Sequence, residues 1–266
     1  MLNNIFLKTL RDQRRSLMWW AIAMVATAVF TILFYPSLKN SPEMDRMAEQ
    51  MPEALRKAFL GEITQLTSPE GFLNSQLFIF FVPLLFLVFA VAQGSGAIAG
   101  EEQRGTLELL LSHPVKRRRV VLDKFAAMVV TTFVLALALW AGLLVGAAVV
   151  GMDISVLRLA EATFSGVLLG LAFGAMALAL GCARGSRGLS IGVSSGLGAV
   201  AYLWNALSPL VASLEPYRKL SPFYYYYAAD PLSNGLAPGH VAVLIGLMAA
   251  LMVIAPLAFE RRDLGT

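Results

Sequence analysis

The stretch GEEQRGTLELLLSHPVKRRR, residues 100–119, lies between two long apolar runs of the sequence. Its leucines recur at helical spacing, Pro114 ends this pattern, and four consecutive basic residues follow. About two helical turns with a small apolar face are too short to be stable alone in water. The sequence therefore predicts a short helix that packs against another surface, either the chain's own helices or a groove on a second protein.

The rest of the chain is strongly apolar. Hydrophobic residues make up 58% of the sequence, charged residues only 14%, and the mean hydropathy is +0.69. Such a composition is typical of an integral membrane protein and excludes an ordinary soluble domain. The sequence pI of about 9.3 reflects basic residues that cluster beside apolar segments, so we expect them to set membrane orientation rather than to bind nucleic acid.

Six apolar segments are long enough to cross about 30 Å of hydrocarbon as helices. They cover residues 17–34, 73–99, 120–150, 157–183, 189–211 and 241–259. Residues 1–16 carry apolar side chains on one helical face and basic ones on the other, which predicts an amphipathic helix lying in the membrane surface. We predict one all-α integral membrane domain over residues 1–266: a six-helix bundle with an N-terminal interfacial helix and a short helix between its second and third spans.

Lysine and arginine are distributed unevenly between the two sides of this arrangement. Fourteen of the 21 basic residues fall on the side of both termini and residues 100–119, and seven fall on the opposite side. By the positive-inside rule, both termini and residues 100–119 face the cytoplasm. The loops at residues 35–72 and 212–240 are then external.

The apolar segments contain no ionisable residue in mid-membrane. Asp123, Lys124, Arg158 and Glu161 lie near helix ends, where we expect them to reach water. A transporter driven by an ion gradient usually carries ionisable residues deep in its spans, so this class is disfavoured. The sequence also lacks a His-Glu-x-x-His zinc motif and a Gly-x-x-x-x-Gly-Lys-Ser/Thr nucleotide-binding loop. We therefore expect no catalytic residues, metal site or cofactor in this chain.

Methionines recur at helical spacing in the first external loop, at Met44, Met47 and Met51. A methionine row binds soft copper ions in some proteins. The same spacing is typical of an amphipathic helix packed on the bundle. The sequence leaves both interpretations open.

Small residues recur at helical spacing within several predicted spans. They are Gly142 and Gly146 in the third span, Gly166, Gly170 and Gly174 in the fourth, and Gly192 and Gly196 in the fifth. Such rows let helix backbones approach closely in lipid. The predicted contact is either within one subunit or between two copies. In the second span, Pro83 predicts a kink because proline removes one backbone hydrogen bond.

The segment GAIAGEEQRGTLELLLSHPVKRRRVVLDKFAA, residues 96–127, closely resembles the cytoplasmic segment between the second and third helices of type-2 ABC transporter permeases. The resemblance also covers PEALRKAFLGE at residues 52–62, SPFYYYYAADPL at residues 221–232 and FERRD at residues 259–263. It implies a six-helix permease that pairs with an identical or related permease in the cytoplasmic membrane of a bacterium or archaeon, in contact with membrane lipid. It further implies that each permease docks on a cytosolic ABC ATPase, which binds ATP and Mg.

In that family the segment at residues 100–119 is a coupling helix seated in a groove of the ATPase. Carried over to this sequence, the resemblance implies coupling roles for Glu101, Glu102, Gly105, Thr106, Leu107, Glu108, Leu110 and Leu111. The implied function is the permease subunit of an ATP-driven exporter. Two alternatives remain: a membrane scaffold or sensor that recruits a cytosolic protein, and an ion-gradient-driven secondary transporter, which the apolar spans disfavour. The sequence does not indicate a substrate.

Overall fold

The computed structural model describes residues 5–39, 41, 45–46, 50–52, 65–112, 115–211 and 213–262. In this part of the chain all regular structure is helical. The long helices are α1 (Ile5–Leu33), α4 (Phe81–Ala97), α7 (Arg117–Val150), α8 (Val156–Arg184), α9 (Arg187–Leu207) and α11 (Pro238–Arg261). The short ones are α2 (Tyr35–Leu38), α3 (Pro69–Leu73), α5 (Ala99–Gln103), α6 (Thr106–Leu111) and α10 (Pro222–Tyr227), with a π turn at Asn74–Phe78 and 3-10 turns at Ser208–Leu210 and Glu215–Leu220.

The prediction of an all-α membrane protein is confirmed. Within the described ranges, five helical segments are long and apolar enough to cross a membrane. They are Ile5–Leu38, Pro69–Ala97, Arg117–Val150, Val156–Arg184 and Pro238–Arg261. The predicted fifth span, residues 189–211, corresponds to the 21-residue helix α9 and the 3-10 turn that follows it, and it is not among these five segments. The count of six spans therefore stays a prediction.

The first helix joins two elements that the sequence predicted separately. An interfacial helix over residues 1–16 and a span over residues 17–34 were expected, whereas α1 is continuous from Ile5 to Leu33. The amphipathic part and the apolar part share one helix because nothing at their boundary stops helical hydrogen bonding. Residues 1–4 lie outside the described part.

The second predicted span, residues 73–99, is assembled from three pieces. The π turn ends at Phe78, two non-helical residues follow, and α4 starts at Phe81. Pro83 stands third in α4, and its ring would collide with the carbonyl four residues earlier, so the helix is interrupted just before it rather than kinked at it. A further break at Ile98, with φ −114° and ψ −61°, separates α4 from α5.

Helix α8 forms the centre of the bundle. Of its most apolar stretch, 83% of the residues are buried, compared with 17% in α1. The closest approach is between α4 and α8, where a Cβ atom added to Gly94 would lie 2.1 Å from the Gly174 carbonyl oxygen. Gly170 also lies against Phe86, where an added Cβ atom would stand 2.8 Å from Phe86 Cβ. Such small residues allow the backbone contact that holds helices together in lipid.

The predicted packing glycines divide into two groups. Gly166 faces Val82 and Phe86 from α8, Gly174 faces Ala90 and Met128, and on α7 Gly142 faces Val25 and Gly146 faces Ile32. Gly192 and Gly196 on α9 behave differently, because a Cβ atom added to either would meet no described atom within 4 Å. These two glycines lie on the outer face of α9 and do not pack within the chain.

The helix ends collect at two opposite ends of the bundle. At one end, the start of α1, the helices α5 and α6, the start of α7, and the ends of α8 and α11 meet. We call this region the basic end. At the opposite end, Asn74 donates to Asp230 at 2.7 Å, and α10 lies against α8.

The predicted methionine row falls largely outside the described residues. Met44 and Met47 are not among them, and Met51 is 41% exposed. Where the structure does place side chains, it shows no group of three or more His, Cys, Asp or Glu residues that could hold a metal ion. The two interpretations of the methionine row stay predictions.

Candidate functional site

The segment between α4 and α7 folds back on itself as two short helices. Gly105 joins α5 to α6 with a left-handed backbone, φ 69°, a conformation that favours glycine. Thr106 Oγ1 then donates to the Glu101 carbonyl at 3.1 Å and closes the turn. The Gly-Thr pair in the sequence thus has a local structural reason.

One face of α6 is buried in the chain's own bundle. Leu107 is 1% exposed and Leu110 6% exposed, and Leu111 is partly buried beside them. Their cluster includes Ile5 from α1 and Phe259 from α11. The sequence left open what covers this apolar face, and the structure shows that the chain itself covers it.

An ion pair joins α5 to α7. Lys124 Nζ donates to Glu101 Oε1 at 2.5 Å, and the side chains are 6% and 16% exposed. The expectation that Lys124 reaches water at a helix end is wrong, because its side chain is buried and Glu101 supplies the compensating charge. The pair fixes the start of α5 to the first turns of α7.

A second group of polar contacts attaches α5 to the end of α11. Arg262 donates to the Glu102 carboxylate and, at 3.4 Å, to the Gly181 carbonyl at the end of α8. Arg117 Nη1 donates to the carbonyls of Phe259 at 3.0 Å and of Arg262 at 2.6 Å. Arg262 therefore links three elements, α5, α8 and the end of α11.

The opposite face of α6 is exposed. Gly105, Thr106 and Glu108 lie on it. Leu109, which is 69% exposed, lies there too and was not among the predicted coupling residues. Helical spacing alone was a sufficient signal, since positions 107, 110 and 111 fall on one face and 108 and 109 on the other.

The eight predicted coupling residues are therefore split by the fold. Glu101, Glu102, Leu107, Leu110 and Leu111 face the chain's own bundle, whereas Gly105, Thr106 and Glu108 are accessible. Pro114, the predicted stop, lies outside the described residues. A force on the outer face of α6 would reach α7, α8 and α11 through the contacts on its inner side.

At the opposite end, α10 is held by hydrogen bonds to the long helices and to the π turn. Tyr226 Oη donates to the Phe78 carbonyl at 2.6 Å, and Ser165 Oγ donates to the Tyr226 carbonyl at 2.9 Å. Burial raises the pKa of Tyr226 well above its ordinary value, so the phenol stays protonated and remains a donor. The carbonyl that it satisfies stands at the end of the π turn, where the interruption before Pro83 leaves it open to a side chain.

A comparison with known protein families gives one match of nearly full length. The sequence model of a family described as ABC-2 family transporter protein matches residues 3–264. A search of curated proteins found no match.

Proposed function

This chain belongs to the ABC-2 family of transporter proteins, and on that premise we propose that it forms the substrate pathway of an ATP-driven exporter and couples that pathway to a separate cytosolic ATPase. The observation that carries the proposal is the two-faced helix α6. Its inner face packs in one cluster with residues of α1, α7, α8 and α11, and its outer face presents Glu108 and Leu109 to solvent. This is the arrangement expected of an element that receives motion from a partner and passes it into the bundle.

In this proposal the partner ATPase binds ATP and Mg and contacts the outer face of α6. Closure of the ATPase displaces α5 and α6 as a unit, since Gly105 and Thr106 hold them together. The Lys124–Glu101 pair transmits the displacement to α7, and the Arg262–Glu102 pair transmits it to α8 and α11. Glu101 and Glu102 thus act inside the permease rather than at the ATPase surface.

The remaining parts of the assembly follow from the same proposal. The basic end faces the cytoplasm together with both termini, in the cytoplasmic membrane of a bacterium or archaeon. A second permease, identical or related, completes the pathway. The outer face of α9, with Gly192 and Gly196, is the side of the chain that offers a close helix contact to that second copy.

Co-purification tests the docking role of α6. The tagged chain is expressed with its genomic neighbours, and the amount of a Walker-type ATPase that purifies with it is measured. Leu109→Asp should abolish this co-purification, because it places a charge on the exposed docking face without disturbing the core. Leu110→Asp is unsuitable, since Leu110 is buried in the bundle and its replacement would unfold the segment.

Leu220→Asp is the matched control. Leu220 is 75% exposed and belongs to the region between α9 and α10, at the end opposite to α6. The control variant should keep the ATPase. If Leu109→Asp also retains it, the docking face is wrong; if wild type brings down no ATPase, the scaffold or sensor alternative takes precedence.

A further inference from the structure

A cavity of about 370 Å³ lies at the basic end, beneath the turn between α5 and α6. One face of α1 forms a wall, and the last turns of α4 form another. Lys124 and Met128 from α7, Leu178 from α8 and Arg187 from α9 complete it. The volume is in the range of small-ligand sites in proteins.

Small residues on α4 leave the space open. Ala92, Gly96 and Ala97 line the cavity, and a Cβ atom added to Gly96 would meet no described atom within 4 Å. Gly96 therefore faces open volume instead of a packed helix, unlike Gly94 two residues earlier. A larger side chain at position 96 would project into the cavity without a backbone collision.

The cavity combines an apolar part with a basic part. Ile5, Met128 and Leu178 supply buried apolar surface. The charged groups among the described lining residues are Lys8, Arg104, Lys124 and Arg187 against Asp12 and Glu101. Cations therefore exceed anions by two. Lys124 and Glu101 form a neutral pair, which leaves Lys8, Arg104 and Arg187 against Asp12.

Within the described part of the chain, three of these cations have no carboxylate partner. Among the described residues, the ion pairs do not include Lys8, Arg104 or Arg187. The Arg187 side chain lies along the backbone of Gly100, where a Cβ atom would stand 3.5 Å from Arg187 Cδ. Arg187 thus packs at van der Waals distance on Gly100 where α9 begins.

The lining also contains an unsatisfied polar group. Gln13 Oε1 is buried and has no hydrogen-bond partner in the described part of the chain. Buried amides of this kind are normally paired. Because the two amide atoms can exchange places by rotation, Gln13 can offer either a donor or an acceptor to a group that occupies the cavity.

We propose that this cavity binds a phosphate group, supplied either by the headgroup of an anionic phospholipid or by free phosphate. Lys8, Arg104 and Arg187 hold the phosphate oxygens, and Gln13 bonds to the phosphate or to a headgroup hydroxyl. The planar guanidinium of arginine can donate two parallel hydrogen bonds to phosphate oxygens. The apolar part of the cavity accommodates the start of an acyl chain when a lipid is the source. This site is independent of whether an ATPase docks on α6.

Thermal unfolding of the purified full-length protein in detergent tests the site. The midpoint is followed against three probes: short-chain phosphatidylglycerol, phosphatidylcholine with the same acyl chains, and inorganic phosphate. A ligand that binds only the folded state raises the midpoint in proportion to its affinity. We expect phosphatidylglycerol to stabilise the wild type at lower concentration than phosphatidylcholine does.

Variants separate the cavity from general attraction to a basic surface. Lys8→Gln and Arg187→Gln should each weaken the apparent affinity by about fivefold, the effect of losing one water-accessible charge contact. Arg184→Gln is the matched control, since Arg184 is exposed close to Arg187 in sequence but does not line the cavity, and its affinity should equal that of the wild type.

Gly96→Leu tests occupancy of the cavity without changing any charge. It should abolish the preference for phosphatidylglycerol, while its midpoint without ligand shows that the protein is folded. If inorganic phosphate alone reproduces the stabilisation, the site takes a free anion and the lipid source is excluded. Equal affinities for the two lipids without any effect of inorganic phosphate, or equal effects of the Arg187→Gln and Arg184→Gln substitutions, would overturn the proposal.

Discussion

At the scale of single residues, the buried pair of Lys124 and Glu101 has the largest predicted effect on stability. When one partner of such a pair is removed, the other charge stays in the interior without compensation. We expect Lys124→Met to lower the free energy of unfolding by about 3 kcal/mol. Chemical or thermal unfolding in detergent measures this change.

A double replacement gives the control for that prediction. Lys124→Met combined with Glu101→Leu should recover most of the loss, because neither charge is then buried. Arg119→Met is the matched surface variant, since Arg119 lies 3.8 Å from Asp123 and its side chain is 70% exposed. Loss of that pair should have little effect. Equal destabilisation by Lys124→Met and Arg119→Met would contradict a specific role for the buried pair.

The hydrogen bond from Tyr226 to the Phe78 carbonyl gives a second prediction at this scale. Tyr226→Phe keeps the ring but leaves a buried carbonyl without its donor, which costs about 1–3 kcal/mol. The thermal midpoint should fall accordingly. Tyr217→Phe is the control, because Tyr217 is 57% exposed. This substitution removes only the hydroxyl and keeps the Tyr217 carbonyl, which accepts a hydrogen bond from Trp204 Nε1. A midpoint unchanged by Tyr226→Phe would show that water replaces the phenol.

At the scale of elements, the contact of α4 with α8 depends on glycine. A Cβ atom at Gly94 would lie 2.1 Å from the Gly174 carbonyl oxygen and 3.1 Å from the Leu178 nitrogen, and backbone atoms of two packed helices do not move cheaply. We expect Gly94→Ala to destabilise the protein by about 1–3 kcal/mol, the usual cost of overpacking.

In the monomeric protein, separated from the second copy proposed above, the same substitution on α9 should have the opposite sign. Gly192→Ala meets no neighbour within the chain, so the gain in helix propensity of up to about 1 kcal/mol is not offset. Thermal unfolding of both variants under the same conditions makes the comparison. Equal losses at Gly94 and Gly192 would mean that α9 is covered in the purified protein.

The elements also show what the sequence could and could not predict. The length of each apolar run predicted the central part of each long helix, since a span needs about 20 residues to cross the hydrocarbon. It did not predict the π turn at Asn74–Phe78 or the break before Pro83. Such interruptions depend on residues far away in sequence, such as Tyr226, whose phenol donates a hydrogen bond to the Phe78 carbonyl. The sequence predicted separate elements at residues 1–16 and 17–34 because the composition changes between them, whereas the helix continues across this boundary.

At the scale of the whole molecule, the sequence predicted a short helix within residues 100–119 but did not separate its two faces. Leucine spacing implied an apolar face on α6, yet the partner of that face comes from Ile5 and Phe259, far away in sequence. The same holds for Glu102, whose partner Arg262 follows 160 residues later. Local spacing predicts a face, while long-range packing decides what covers it.

The outer face of α9 gives the last prediction, which concerns assembly. Its buried residues are small or polar, Ser190, Ser194, Gly198 and Asn205, whereas most of its large apolar side chains and the glycines Gly192 and Gly196 are exposed. A lipid-facing surface needs no row of glycines, whereas a close helix contact does. If a second copy packs on this face, the two copies of Gly192→Cys lie close together. Their Cα atoms are then within the separation of about 4.4–6.8 Å that a disulfide requires.

Mild oxidation in membranes should therefore cross-link Gly192→Cys into dimers. Gly246→Cys is the control, because Gly246 on α11 also meets no described atom within 4 Å but does not belong to the α9 row. The native Cys182 is buried and should give no background. Cross-linking at position 192 alone would place the second copy on α9. Cross-linking at both positions would indicate random collision in the membrane. If neither position cross-links, the glycine face contacts lipid or a different partner.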